Sequence, residues 1–216
     1  MQKDIIFISE SLNSLLKKMT NTQKETVKNM LHFYMNQYRD LIEKYDSISV
    51  AASIHTAIDE FIEKEISTTK EYKISCGKGC SFCCHLSVDI SIDEAELLVE
   101  YCKEQNITID QDKLKSQLTP NADIFNKLPI QDRKCVFLDE SGCCTVYEHR
   151  PSACRKLIAI SEPKFCDVDN YFGAKVSKLV STEAEVMTSA SLNAAKETGT
   201  MAEMLLKTLK NNLKNV

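Results

Sequence analysis

Apolar residues recur along the first third of the chain at the spacing of a single helical face. Val27, Met30, Leu31, Tyr34, Tyr38, Leu41, Ile42 and Tyr45 form one stripe, and Ala51, Ile54, Ile58, Phe61 and Ile62 form a second. Thr22 and Glu25 read as a capping box, the threonine side chain accepting a first-turn N–H while the glutamate reaches back. Two or three packed helices are predicted over residues 1–72, with the Met and Tyr stripes as core. Residues 73–168 lose the periodicity. The one helical signal there is a second capping box, Ser91 and Glu94, followed by Ala95, Leu98 and Cys102 on one face. Cys102 thus reads as a small buried hydrophobe. Cys135–Leu138 and Cys144–Tyr147 flank Asp139–Cys143 and predict a short hairpin. Over residues 169–216 the helical spacing returns. Val176, Leu179, Val180, Met187 and Ala190 share one face, and Ala202, Leu205, Leu206, Leu209 and Leu213 share another. The terminal KNNLKNV is expected to fray. The expected fold is mainly α, with helices packed around a loop-rich cysteine module and at most a short β-hairpin. The three zones are expected to form one compact unit.

Composition changes this picture through one residue type. All ten cysteines fall in the middle zone, yet a chain of 216 residues with 43% hydrophobic content can bury a core without covalent staples. The N-terminal apolar run, Ile5 to Ile8, is too short for a signal-peptide core, and no stretch nears the roughly 18 apolar residues of a membrane span. A cytoplasmic location is expected, where disulfides are rare and a cysteine cluster reads as metal-binding or catalytic. The vicinal pairs Cys83–Cys84 and Cys143–Cys144 also argue against a disulfide scaffold, since neighbouring pairs are awkward to bridge. A net charge of −4 offers no basic field, so neither nucleic acid nor membrane is expected as a partner. A protein or peptide partner stays open, as does the oligomeric state. No Ser–His–Asp order, phosphate-cradling glycine loop or H-E-x-x-H motif is present.

The cysteines form two clusters. The first is Cys76-Gly-Lys-Gly-Cys80-Ser-Phe-Cys83-Cys84-His85. The second runs from Cys135-Val-Phe-Leu through Gly142-Cys143-Cys144-Thr-Val-Tyr147 to Arg150-Pro151-Ser-Ala-Cys154-Arg155, with Cys166 beyond. Thiolates two or three residues apart converge on one ion with little loop-closure cost, and four satisfy one zinc or one iron–sulfur cluster. The candidate ligands are Cys76, Cys80, Cys83, Cys84, Cys135, Cys144, Cys154 and Cys166, enough for two centres. Gly77, Gly79 and Gly142 sit beside cysteines, where glycine permits the tight turns that fold a backbone around a metal.

These motifs, in this order, resemble the YkgJ-like cysteine-cluster family, whose members are described as zinc- or iron-chelating domains. The likeness covers Cys76 to Cys166, somewhat under half the chain. Cys80, Cys83, Cys84, Cys135, Cys144 and Cys154 occupy family positions. Cys76 is offset by one residue, Cys143 is an addition, and Cys166 is a weaker match. The resemblance implies metal binding and no particular reaction. The C-x3-C-x2-C spacing is also similar to that of flagellin lysine N-methylases, which implies a [4Fe–4S] cluster and modification of a protein. Cys76, Cys80, Phe82 and Cys83 further fit the radical-SAM pattern, but the strand–helix alternation of such enzymes is missing.

Among the neighbours, Arg150 and Arg155 bracket Cys154, where they are expected to lower thiolate pKa and offset the charge of a polythiolate centre. Pro151 suits the first turn of a short helix through Cys154. Tyr147 reads as core packing or as a hydrogen-bond donor to the site. His85 and His149 read as neighbours of the site, and His32 and His55 receive no role. Three functions remain open: a zinc- or iron-binding protein, an iron-dependent enzyme acting on a peptide or small molecule, and an interaction module with structural zinc.

Overall fold

The computed structural model of the protein describes residues 7–69, 73–167, 169–170 and 175–214. Ile5 and Ile6 of the N-terminal apolar run and Asn215 and Val216 of the terminal stretch lie outside them. Three helices open the chain: α1 (Glu10–Lys18), α2 (Asn21–Lys44) and α3 (Ser47–Thr68). The capping box of α2 is built by Thr20 and Gln23 rather than by Thr22 and Glu25. Both pairs obey the same spacing rule, but Thr20 alone precedes the first helical turn, where N–H groups lack partners.

Next come strand β1 (Asp89–Ser91) and α4 (Ile92–Glu104), which starts at the expected Ser91–Glu94 capping box. Short helices α5 (Gln111–Ser116), α6 (Ala122–Phe125), α7 (Ile130–Arg133) and α8 (Ser152–Arg155) follow, then strands β2 (Ile158–Ala159) and β3 (Lys178–Leu179). Helix α9 (Thr182–Ala194), strand β4 (Thr198–Thr200) and helix α10 (Met201–Lys214) complete the chain. The antiparallel pairs β1–β4 and β2–β3 are the named sheets. No helix among the described residues is long and apolar enough to cross a membrane.

Two expectations are corrected here. Leu179 lies in β3 and Val180 just after it, so the periodic set beginning at Val176 belongs to the helix only from Met187 onward. Pairing of Ile158 with Leu179 supplies the backbone hydrogen bonds that a helix would otherwise provide. The predicted hairpin contracts to one bridge, Leu138 with Cys144, supported by Thr145 N–H on the Phe137 carbonyl at 2.8 Å.

Helix α9 is the axis of the fold. Ala184 to Leu192 are all buried, and the run is rich in Ala, Ser and Thr, small enough for α1, α2 and α3 to approach closely. Thr188 and Ser191 satisfy their hydroxyls on carbonyls of their own helix. Leu12, Val27, Leu31 and Met35 pack on one side of it and Tyr38, Ile54, Ile58 and Ile62 on another. A separate core joins α4, α5 and α10 to the cysteine loops through Ile90, Leu98, Leu114, Phe137, Val146 and Leu205. Cys102 lies in this core at 2% exposure, as its helical position predicts. Burial pushes its thiol up to about 11.

Candidate metal centre

The cysteine-bearing segments converge because each is tied to a neighbour through its backbone. A 3₁₀ turn, Phe82–His85, carries Cys83 and Cys84. Cys135 N–H donates to the Cys84 carbonyl at 2.8 Å, which locks the first cluster to the second. Phe137 and Val146, both nearly inaccessible, plug into the core on either side of Cys144. The turn between them depends on Asp139, whose carboxylate accepts from the N–H groups of Ser141 and Cys143. Those bonds hold the Asp139 carboxyl below the usual range. Gly142 takes φ +77° there, and a Cβ on it would stand 3.1 Å from the Gly79 carbonyl oxygen. Only glycine fits that close approach without strain, so Gly142 and Gly79 bring the two clusters together as expected.

Cys154 rides on α8, and three long helices anchor that short one. Glu94 of α4 accepts from Ser152 N–H at 2.7 Å and from His55 Nε2 of α3 at 2.9 Å, and its other oxygen accepts from Ser91 N–H. Burial opposes ionisation of Glu94, but these donors hold its carboxyl below the usual value. Arg155 is buried, donating to Asp59 of α3, to the Glu148 carbonyl and, at 2.8 Å, to the Arg150 carbonyl. Lys156 pairs with the buried Glu185 of α9 at 2.5 Å. His55 and Glu94 therefore matter to the site although the sequence offered them no role beyond a cap. The available signal was a histidine inside the apolar stripe of α3, adjacent to Ile54 and Ile58.

The thiols of Cys83, Cys135, Cys144 and Cys154 act on one another electrostatically. Burial pushes Cys135 up to about 12, and the Cys144 and Cys83 thiols add to it. Burial raises Cys154 well above the ordinary value, followed by Cys135, Cys83 and Cys144. Cys144 is raised by burial and by Cys83, against Arg150, which lowers it. Cys83 is raised first by its hydrogen bond with Cys84, then by burial. A second group, Cys76, Cys80 and Cys166, lies further out. Burial raises Cys166, and Cys76, Cys80 and Cys83 add to it; burial raises Cys80, with Cys76 and Cys83 next. Cys76 is exposed, and its Sγ accepts the Ala159 N–H at 3.2 Å. Lys178 of β3 brings its ammonium to bear on both Cys83 and Cys166.

The neighbouring residues differ from expectation. Arg155 serves α8 rather than a thiolate, and Arg150 acts on Cys144 rather than on Cys154. Arg155 donates instead to the Arg150 and Glu148 carbonyls and to Asp59, which Arg150 also approaches at 3.9 Å. Tyr147 is 57% exposed, with the Arg150 guanidinium 4.0 Å over its ring, so it is not part of the core. His85 lies with Nδ1 3.1 Å from the Ser81 carbonyl oxygen, and His149 stacks on Tyr101 with ring centroids 4.3 Å apart. Pro151 precedes the first residue of α8 instead of occupying its first turn.

Among the described residues, no three Cys, His, Asp or Glu side chains are drawn together as the ligands of a formed centre. The donor chemistry suits a soft cation all the same. All ten cysteines are free thiols. Burial, and after it the neighbouring thiols, raises the pKa of most of them, and a cation that displaces their protons would supply the charge they lack. A backbone N–H already donates to one sulfur, as in the outer hydrogen bonds that support metal thiolates.

Residues 75–174 match the model of the family described as "CxxCxxCC: Putative zinc- or iron-chelating domain". This bears out the resemblance carried by the cysteine motifs over that segment. No curated protein matches the chain, and no solved structure does.

Proposed function

We propose that this chain binds zinc or iron through thiolates drawn from Cys76, Cys80, Cys83, Cys84, Cys135, Cys144, Cys154 and Cys166. One observation carries the reading: the two cysteine clusters, about fifty residues apart, are joined by the Cys135 N–H bond to the Cys84 carbonyl, and every cysteine in them is a free thiol. A bound cation would supply the positive charge that lets them ionise and would join their segments. Arg150 and Lys178 would offset part of the remaining negative charge. Tyr147 supports this indirectly, by stacking under the Arg150 guanidinium. Softness favours zinc, iron or an iron–sulfur cluster over calcium or magnesium. Ten free thiols suit a reducing, cytoplasmic compartment. The helices of 1–72 and 169–216 would act as the scaffold of the 73–168 module. The test is to purify the chain without oxygen, record its visible spectrum, and measure zinc, iron and acid-labile sulfide. Stoichiometric colourless zinc, or brown iron with sulfide, supports the reading. A folded chain that takes up neither metal refutes it.

A further inference from the structure

We infer that the cleft beside Arg133 is a binding site for one buried water molecule, held between the Arg133 guanidinium and the Gln117 side-chain amide. The site stands whether or not the chain binds a metal.

The cleft lies where the cysteine loops meet the start of α10, and Leu86, Phe125 and Met201 give it apolar walls. Arg133 of α7 and Gln117, just after α5, also line it, and both are almost wholly buried, at 3% and 4% exposure. Each has one polar group still to satisfy. Arg133 directs Nη2 to both carboxylate oxygens of Asp169, at 2.6 and 2.5 Å, while its buried Nε–H has no partner among the described residues. Gln117 Nε2 donates to the Asp132 and Lys134 carbonyls at 2.8 and 2.9 Å. Those two bonds use both amide hydrogens and leave Oε1 to accept. One cleft therefore presents a spare donor and a spare acceptor that do not bond each other.

Size and charge select the occupant. The cleft volume is about 20 Å³, and a water needs roughly 10–15 Å³ and two to four polar partners. A buried N–H without an acceptor is costly, and a water accepting from Arg133 Nε and donating to Gln117 Oε1 relieves both groups at once. Cys135 is on the same wall and offers its sulfur as a weak acceptor for the second hydrogen. A small anion fits less well, because Asp169 already matches the Arg133 charge and Gln117 Oε1 would repel it. The water closes a ring from Arg133 through Gln117 to the carbonyls on either side of Arg133. That ring braces the backbone just before Cys135, whose N–H carries the bond to the Cys84 carbonyl.

The test uses the full-length, reduced, isotope-labelled chain, with water itself as the probe. Magnetisation transfer between water and side-chain N–H groups is measured in the laboratory and rotating frames. A water held for longer than the chain takes to tumble gives cross-peaks of opposite sign in the two frames, whereas passing hydration water gives the same sign. Opposite signs are expected at Arg133 Nε–H and at the Gln117 side-chain amide. Arg133→Lys keeps a cation for Asp169 but puts a methylene in place of Nε, so the Gln117 cross-peak should be lost. No cross-peak at Arg133 Nε–H, or equal signs there, would overturn the site, as would a Gln117 cross-peak that survives Arg133→Lys. Because Arg133 Nε–H is read on the unsubstituted chain, the test holds even if Arg133→Lys fails to fold.

Discussion

Glu94 is the residue on which the structure makes its sharpest demand. Its carboxylate is 4% exposed and receives His55 Nε2 at 2.9 Å, Ser152 N–H at 2.7 Å and Ser91 N–H at 3.1 Å. Glu94→Ala would leave those three donors buried without an acceptor. Removing one partner of such a buried, hydrogen-bonded pair costs about 3–5 kcal/mol. For a chain of this length that corresponds to a fall in melting temperature of roughly 6–20 °C. The assay is thermal unfolding followed by circular dichroism, with exposed Glu140→Ala as a control expected within about 0.5 kcal/mol of the parent. The loss should also depend on pH in a fixed sense. Glu94's folded pKa is depressed, so its ionised contribution is fully present above the ordinary glutamate pKa and is lost as pH falls through the folded value. The stability gap between the parent and Glu94→Gln should therefore stay level near neutrality and narrow on acidification. A Glu94→Ala chain that melts within about 2 °C of the parent would refute the claim that this network anchors α8.

Other substitutions test separate parts of the account. Cys102→Ala should leave metal per chain unchanged and cost about 1 kcal/mol in chemical denaturation, and a drop in metal would move Cys102 into the ligand set. Gly142→Ala forces a β-carbon against the Gly79 carbonyl at a positive φ, so about 1–2 kcal/mol should be lost, together with metal affinity measured by chelator competition. Arg155→Met keeps the buried stem but removes the donor to the Arg150 and Glu148 carbonyls and leaves Asp59 only Arg150 at 3.9 Å, so urea unfolding should show a loss of about 1–3 kcal/mol. Tyr38→Phe removes the hydroxyl that donates to Asp93 at 2.5 Å between α2 and α4, which should cost about 1–2 kcal/mol by the same measurement.

The helices were legible where burial is periodic. The stripes of α2, α3 and α10 and the Ser91–Glu94 cap are local features that spacing displays, but the stripes overreach at their ends, where Ile42, Tyr45 and Leu213 are exposed because no neighbouring helix covers them. The Val176–Val180 set failed because a residue that alternates into a two-residue strand leaves the same short apolar pattern as a helical turn. The Thr22–Glu25 box failed because the same spacing recurs two residues earlier, and only the position of the first unpaired N–H decides between them. His55 could not be assigned, since a histidine in an apolar stripe has meaning only once Glu94 is seen opposite it.

By itself the sequence determined a mainly helical chain, a cysteine module in its middle, and the match of residues 75–174 to a zinc- or iron-chelating family model. Short-range spacing and residue chemistry suffice for those. How the cysteine segments meet was decided by tertiary structure, because the Cys83–Cys84 turn lies about fifty residues before Cys135 and joins it only through the Cys135 N–H bond to the Cys84 carbonyl, with Phe137 and Val146 in the core and the anchoring of α8 setting the rest. The same holds for Arg155 and Arg150. Their positions beside Cys154 suggested a shared electrostatic role, but burial made Arg155 a donor to carbonyls and Asp59, while the turn at Tyr147 directed Arg150 toward Cys144. Proximity along a chain fixes which groups can meet, and the packing of distant segments decides which of them do.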